Sequence, residues 1–158
     1  MMASEKVDVR SELPVCPADR PEGWVGVRID GLVETPLTIG LDELAAMPQT
    51  ESVQDVQCFD GWIAPEQRWA GVPLSDVLTR AGVSAEAGFV SASCLALKRT
   101  STLEEAMAPG TILALQLNGQ PLPEEHGGPV RLVVAGKMGP DFVKMPELIE
   151  VTKDSPEA

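Results

Sequence analysis

The chain has little that would tie it to nucleic acid, to a membrane or to a covalent framework. Basic side chains are scarce: 12 Lys and Arg stand against 24 Asp and Glu, a formal charge of −12 over 158 residues. That balance opposes polyanionic partners and favours solubility. No run of about 18 apolar residues is present, so no membrane span is expected. The polar opening MMASEKVDVRSE lacks the apolar core of a signal peptide, and the expectation is a cytoplasmic protein. The three cysteines, Cys16, Cys58 and Cys94, show no CxxC spacing, which argues against a disulfide framework and against zinc or iron–sulfur sites. The CxxCH signature of attached haem is missing too, as are repeats and low-complexity segments.

What is present suits one domain. At 44% hydrophobic, a chain of this length can bury roughly two-thirds of its unfolded surface. Residues 1–20 are polar and proline-bearing and read as a flexible segment or an irregular strap; residues 21–152 read as the domain and 153–158 as a charged tail. Strands are expected at Trp24–Ile29, in a short piece ending near Thr35-Pro36, around Cys58, at residues 88–97, 111–117 and 130–135, and at 148–152. IAPEQRW, residues 63–69, reads as a loop, and Lys98-Arg99 as following the strand at 88–97. Short helices are expected at 41–47, stopped by Pro48, at 74–82, stopped by Gly82, and after the capping box Thr102-Leu-Glu-Glu105. Asn118-Gly119 is the strongest hairpin signal. Strands and helices do not alternate regularly, so the expected fold is α+β, mainly mixed β-sheet with a few short helices.

Two stretches carry chemistry. Cys58 lies on an apolar-edged strand, with Val53 and Val56 before it and Phe59 after it, just ahead of the Asp60-Gly61 turn, as a buried strand delivers a side chain to a pocket mouth. A cysteine so placed either packs as a small hydrophobe, the commoner fate, or offers a thiolate to a metal. Between His126 and Met145, Arg131, Lys137 and Lys144 face Asp141 alone, an island in an acidic chain that invites an anion. Arg131 and Lys144 would otherwise balance nearby carboxylates, and a lone histidine in a Gly-Gly-Pro turn is ordinarily a surface residue.

The order GLVETPLTIGLDELAAMP, QCFDGW, WAGVPLSDVL and LNGQPLPEEHGGPVRLVVAGKMG, then VK and IEV, resembles the molybdopterin-binding domain of the sulfite oxidase family over residues 25–152. It is closest there to small bacterial members and to the catalytic subunit of the family's methionine sulfoxide reductase. The resemblance implies a single domain of that type, holding molybdopterin with one molybdenum and no nucleotide. It makes Cys58 the thiolate ligand of the metal and the catalytic residue, His126 a polar contact of the pterin, and Arg131 a phosphate ligand; Phe142, Val143 and Lys144 would close around the same phosphate. Soft thiolate suits a sulfur-rich metal, and a guanidinium fork suits phosphate. The chain departs from the family pattern in three places. Cys94-Leu-Ala-Leu-Lys-Arg replaces an Asp-Gly-Tyr type segment, Met145 replaces a tryptophan, and Asp141 stands where a basic residue is frequent.

The implied function is an oxidoreductase that transfers an oxygen atom to or from a small molecule such as sulfite or a sulfoxide, passing electrons to a separate partner such as a haem protein. No nucleic acid is involved. Arg68, Lys98 and Arg99 would orient an anion or, more ordinarily, form a solvated rim. The alternatives are a non-catalytic pterin-binding or subunit module that keeps the fold, and a thiol redox protein using Cys58 or Cys94.

Overall fold

A computed structural model describes residues 8–10, 12–15, 18–57 and 61–155. In chain order its elements are β1 (Asp8–Val9), β2 (Val27–Gly31), β3 (Leu37–Ile39), α1 (Leu41–Ala46), β4 (Thr50–Gln57), β5 (Trp62–Pro73), α2 (Leu74–Ala81), β6 (Phe89–Cys94), β7 (Leu97–Thr102), α3 (Leu103–Met107), β8 (Ile112–Leu117), β9 (Gln120–Pro121), β10 (Arg131–Val133) and β11 (Leu148–Thr152). They make two sheets. A six-stranded sheet runs β1-β5-β8-β10, with β4 also on β5 and β9 also on β8; a five-stranded sheet runs β3-β2-β11-β6-β7. Two pairings are parallel, β1 with β5 and β11 with β2, and the rest are antiparallel, so the sheets together are mixed as expected.

β5 is the longest strand and corrects the expected loop at residues 63–69. Its burial alternates, with Trp62, Ala64, Gln67 and Trp69 inside and Glu66 and Arg68 outside. Proline and glutamate disguise it. The β4–β5 register shifts between Gln54 and Val56, and Glu66 there takes a φ of +52°. At such a bulge a proline costs no ladder bond, which is why Pro65 is tolerated. Asp55 closes the bulge by accepting the Glu66 N–H at 2.8 Å.

The second correction concerns Lys98-Arg99. Instead of trailing a strand they lie within β7, which pairs with β6 from Cys94↔Leu97 to Phe89↔Thr102. The third is small: the strand expected to end at Thr35-Pro36 begins after them, because Gly31 at φ +91° turns the chain out of β2 first.

The helices keep their expected places. α2 buries Leu74, Val77, Leu78 and Ala81, and Gly82 ends it at φ +79°, its N–H donating to the carbonyls of Leu78 at 2.9 Å and Thr79 at 3.1 Å. Burying each such leucine is worth about 1.5–3 kcal/mol, far more than the few tenths available from propensity in a helix this short. α3 starts on the capping box: Thr102 Oγ1 accepts the Glu105 N–H at 3.1 Å and Glu105 returns a bond to the Thr102 N–H at 2.9 Å.

The N-terminal residues act as a strap where they are described. β1 pairs with the start of β5, Leu13 is buried, and Arg20 donates to the Glu124 carbonyl at 2.9 Å. The core is continuous from Ile29 and Ile39 through Trp69 and Val72 to Ile112, Phe142 and Ile149. Among the described residues no helix is long and apolar enough to cross a membrane.

Candidate functional site

A cavity of about 570 Å³ takes its walls from both sheets, a volume typical of sites for small molecules and cofactors. Val56 and Trp62, at the end of β4 and the start of β5, form one side. Arg131 on β10, with Gly139, Pro140, Phe142 and Lys144, forms a second. Cys94, Leu97 and Arg99 of β6 and β7 form the third, and Leu13, Pro14, Ala18 and Asp19 of the strap lie across it.

Cys58 lies outside the described residues, as do Phe59, Asp60 and Cys16. Their neighbours are informative. Val56 and Trp62, two residues before Cys58 and four after it, both line the cavity. Gly139 packs against the same strand end, where an added Cβ would sit 3.1 Å from Val56 Cγ1 and 3.3 Å from the Gln57 carbonyl oxygen.

Arg131 is the central cation of the second wall and is buried, at 6% exposure. Its Nε donates to the Phe142 carbonyl at 2.9 Å, and longer contacts run to the carbonyls of His126 at 3.4 Å and Gly139 at 3.5 Å. The guanidinium also stands over the rings of Trp69 at 5.3 Å and Phe142 at 5.9 Å, and those rings meet edge-on at 6.1 Å. Carbonyl oxygens and ring faces all favour the charged form of this buried cation. One arginine thus fixes the relative positions of three loop residues that frame the cavity.

The other expected residues divide. Phe142 is buried and lines the cavity. Val143 is fully buried, its carbonyl accepting the Leu132 N–H at 2.9 Å, and so serves the frame. Lys144 lines the cavity, bridges to Arg131 across the backbone and donates to the Glu125 carbonyl at 3.0 Å. Gly127, at φ +103°, leaves room for that lysine, since a Cβ there would meet Lys144 Cγ at 2.6 Å. His126 does not line the cavity. Its backbone joins the Arg131 cradle while its Nδ1 is buried without a partner among the described residues. Burial first, then the charge of Arg131, push its imidazole below the ordinary range; Glu125 opposes this and Lys144 adds to it.

Of Arg68, Lys98 and Arg99, which the sequence offers either to orient an anion or to form a solvated rim, the first two fit the rim, both being exposed, with Arg68 3.9 Å from Glu51. Arg99 instead lines the cavity, and its Nε is buried with no partner among the described residues. The signal was there: had LKRTST been read as a strand, Leu97 and Arg99 at i and i+2 would share a face.

The residues present fit a pterin with an anionic tail. Arg131 and Lys144 supply positive charge, Trp62 and Phe142 supply apolar area for a flat ring, and the enclosed volume is of the right size. Fold and cavity define a cofactor-binding domain of the oxidoreductase type. The sequence matches the family described as oxidoreductase molybdopterin binding domain over residues 13–158, and the chain belongs to that family. It is 35% identical over 106 residues to the uncharacterized oxidoreductase YuiH of Bacillus subtilis, covering 66% of this chain and 54% of the relative. It is 33% identical over 144 residues to the protein-methionine-sulfoxide reductase catalytic subunit MsrP of Xanthomonas axonopodis pv. citri, covering 79% and 43%. Among solved structures, the sulfane dehydrogenase SoxCD of Paracoccus pantotrophus superposes with a TM-score of 0.78 at 28% identity over 85% of this chain and 39% of that one. The chain spans about half the length of the relatives it matches. Molybdopterin is the cofactor that membership assigns, and the mixed-sheet domain of the sulfite oxidase type is the fold.

Proposed function

We propose that this domain is an oxidoreductase whose cavity holds molybdopterin, with Cys58 as the protein's ligand to the metal. The observation that carries the reading is the placement of Val56 and Trp62, on either side of Cys58 in sequence, on the wall of a cavity whose other faces bear Arg131, Lys144 and Arg99. The bound group would supply two-electron redox chemistry and an exchangeable oxygen position for a sulfite- or sulfoxide-like small molecule. The chain's own contribution is positional and electrostatic. Arg131, clamped by loop carbonyls, and Lys144 present fixed positive charge to the phosphate and need no reorganisation when it arrives. Trp62 and Phe142 bound the site with apolar surface and exclude water from it.

Electrons would be exchanged with a separate partner such as a haem protein. Cys94 is a poor candidate for thiol redox chemistry. Burial and the carboxylate of Glu147 raise its pKa, against a weaker pull from Arg20, and a raised pKa withholds the thiolate that such chemistry needs.

Serine in place of cysteine tests the assignment. Cys58→Ser, nearly isosteric but too hard a ligand to replace thiolate donation, is expected to abolish turnover with an artificial electron acceptor while circular dichroism stays that of the wild type. Cys94→Ser is expected to keep metal and turnover. Full activity in Cys58→Ser, or loss of metal in Cys94→Ser alone, would assign the ligand wrongly.

A further inference from the structure

Arg99 is the cavity's unexplained cation. Its guanidinium makes no hydrogen bond or ion pair with any described residue, and its Nε is buried. Asp141 lines the small space beneath it without coming within ion-pair distance. Arg99 as a whole is half-buried, but a buried N–H without a partner costs stability unless something else takes it as a donor.

Its neighbours say what that something is. In the β6–β7 ladder Cys94 faces Leu97 and Ala92 faces Arg99, so Leu97 and Arg99 project from one face of β7 while Lys98 projects from the other. Leu95 and Leu97 also line the cavity, and both are unusually open for leucines, at 52% and 40% exposure. The hairpin that carries them is held in place: Leu95 sits at φ +53° and its N–H donates to the Glu147 carboxylate at 2.8 Å. Asp19, the acid on this cavity's wall among the described residues, is exposed on the strap.

We infer that Arg99, Leu97 and Leu95 form a recognition strip for a small organic oxyanion, its charged oxygens on the Arg99 guanidinium and its apolar body against the two leucines. This rests on the cavity being the redox site and narrows the sulfite- or sulfoxide-like reading to an organic molecule that carries a charged oxyanion group. A carboxylate or sulfonate matches the planar fork of a guanidinium with two parallel hydrogen bonds. An inorganic oxyanion would turn its remaining oxygens toward Leu97, Leu95 and Cys94, which cannot hydrate them. The cofactor's phosphate has its own cations, Arg131 and Lys144, on the opposite sheet.

The probe is pentane-1-sulfonate, titrated calorimetrically into protein purified from a molybdate-supplied host, with inorganic sulfate and pentan-1-ol as comparisons. The sulfonate is expected to bind at least about tenfold tighter than either. Arg99→Gln is expected to weaken it by about tenfold or more with molybdenum and pterin content unchanged, and Arg99→Lys to recover part of that loss, as a charge without a fork does. Leu97→Ser is expected to bring the sulfonate down to the level of sulfate. Unchanged sulfonate affinity in Arg99→Gln overturns the strip, and so does loss of pterin from that variant, which would give Arg99 to the cofactor. Equal binding of sulfate and sulfonate by the wild type overturns the organic class. If Arg99→Gln does not fold, Arg99→Lys decides: affinity equal to the wild type rejects the fork. Wild-type protein that binds the sulfonate but carries no pterin would contradict the cofactor proposal and leave the strip standing.

Discussion

Two walls of one cavity each carry an arginine and provide for it in opposite ways. Arg131 is buried on the six-stranded sheet, held by contacts to the carbonyls of Phe142, His126 and Gly139, with its face over Trp69 and Phe142. Arg99, on the edge strand of the five-stranded sheet, has a buried Nε that no described residue accepts. The first is part of the protein's own architecture and would hold its shape with or without a ligand. The second is left for a ligand. A sequence shows two arginines; only their partners separate a cation that builds a site from one that reads what enters it.

Mutation should separate them most sharply in stability. Arg131→Ala removes a charge-assisted bond and two longer contacts at once, so a loss on the order of 3 kcal/mol is expected, roughly 6–12 °C in melting temperature for a domain of this size. Pterin retention should fall with it. A melting temperature unchanged from the wild type would break the comparison. Arg99→Leu is expected to melt at or slightly above the wild-type temperature, because it removes an unsatisfied buried donor rather than a bond. A fall of several degrees would show that Arg99 has a structural partner after all.

Lys144→Ala should have a smaller effect on both counts. Its Nζ bond to the Glu125 carbonyl is exposed, where such contacts are worth about 0–1 kcal/mol, so stability should hardly move while pterin content drops less than in Arg131→Ala.

The smallest effect is a pH dependence. His126 has its folded pKa lowered from 6.5, by burial first and then by Arg131. The unfolded chain therefore binds the proton first, and stability present above pH 6.5 is lost as the pH falls below it. Comparing melting temperatures at pH 7.5 and 5.5, His126→Gln should lose part of the acid sensitivity of the wild type. Glu105 and Asp30, whose pKa values are lowered from 4.5 and 3.8, act at more acid pH and leave this window clear. Identical slopes in the two proteins would mean that His126 is not strained in the way its surroundings imply.

Much of the fold was legible because local and tertiary preferences agree. Gly82, the Thr102 capping box, the turn at Asn118-Gly119 and the β-branched LIEVT all fold as their residues prescribe. β5 was hidden because Pro65 and Glu66 sit at a bulge, which only pairing with β4 reveals. β7 was hidden because an edge strand with one face to solvent needs no apolar run: LKRTST has a single leucine. That miss left Arg99 grouped with Arg68 and Lys98. For the site, Arg131, Phe142 and Lys144 come together on one wall, Val143 serves the backbone behind it, and His126 contributes a carbonyl rather than a side chain to the cradle. Which way the imidazole faces depends on tertiary packing, and no spacing in the sequence encodes it.

The most direct test of the account is metal and pterin quantitation on wild-type protein from a molybdate-supplied host. Molybdenum and pterin are each expected to approach one per chain, and both should be missing from protein made in a host unable to synthesise the pterin. Protein from well-supplied cells that carries zinc, or carries no pterin at all, would contradict the claim that this cavity is a molybdopterin site.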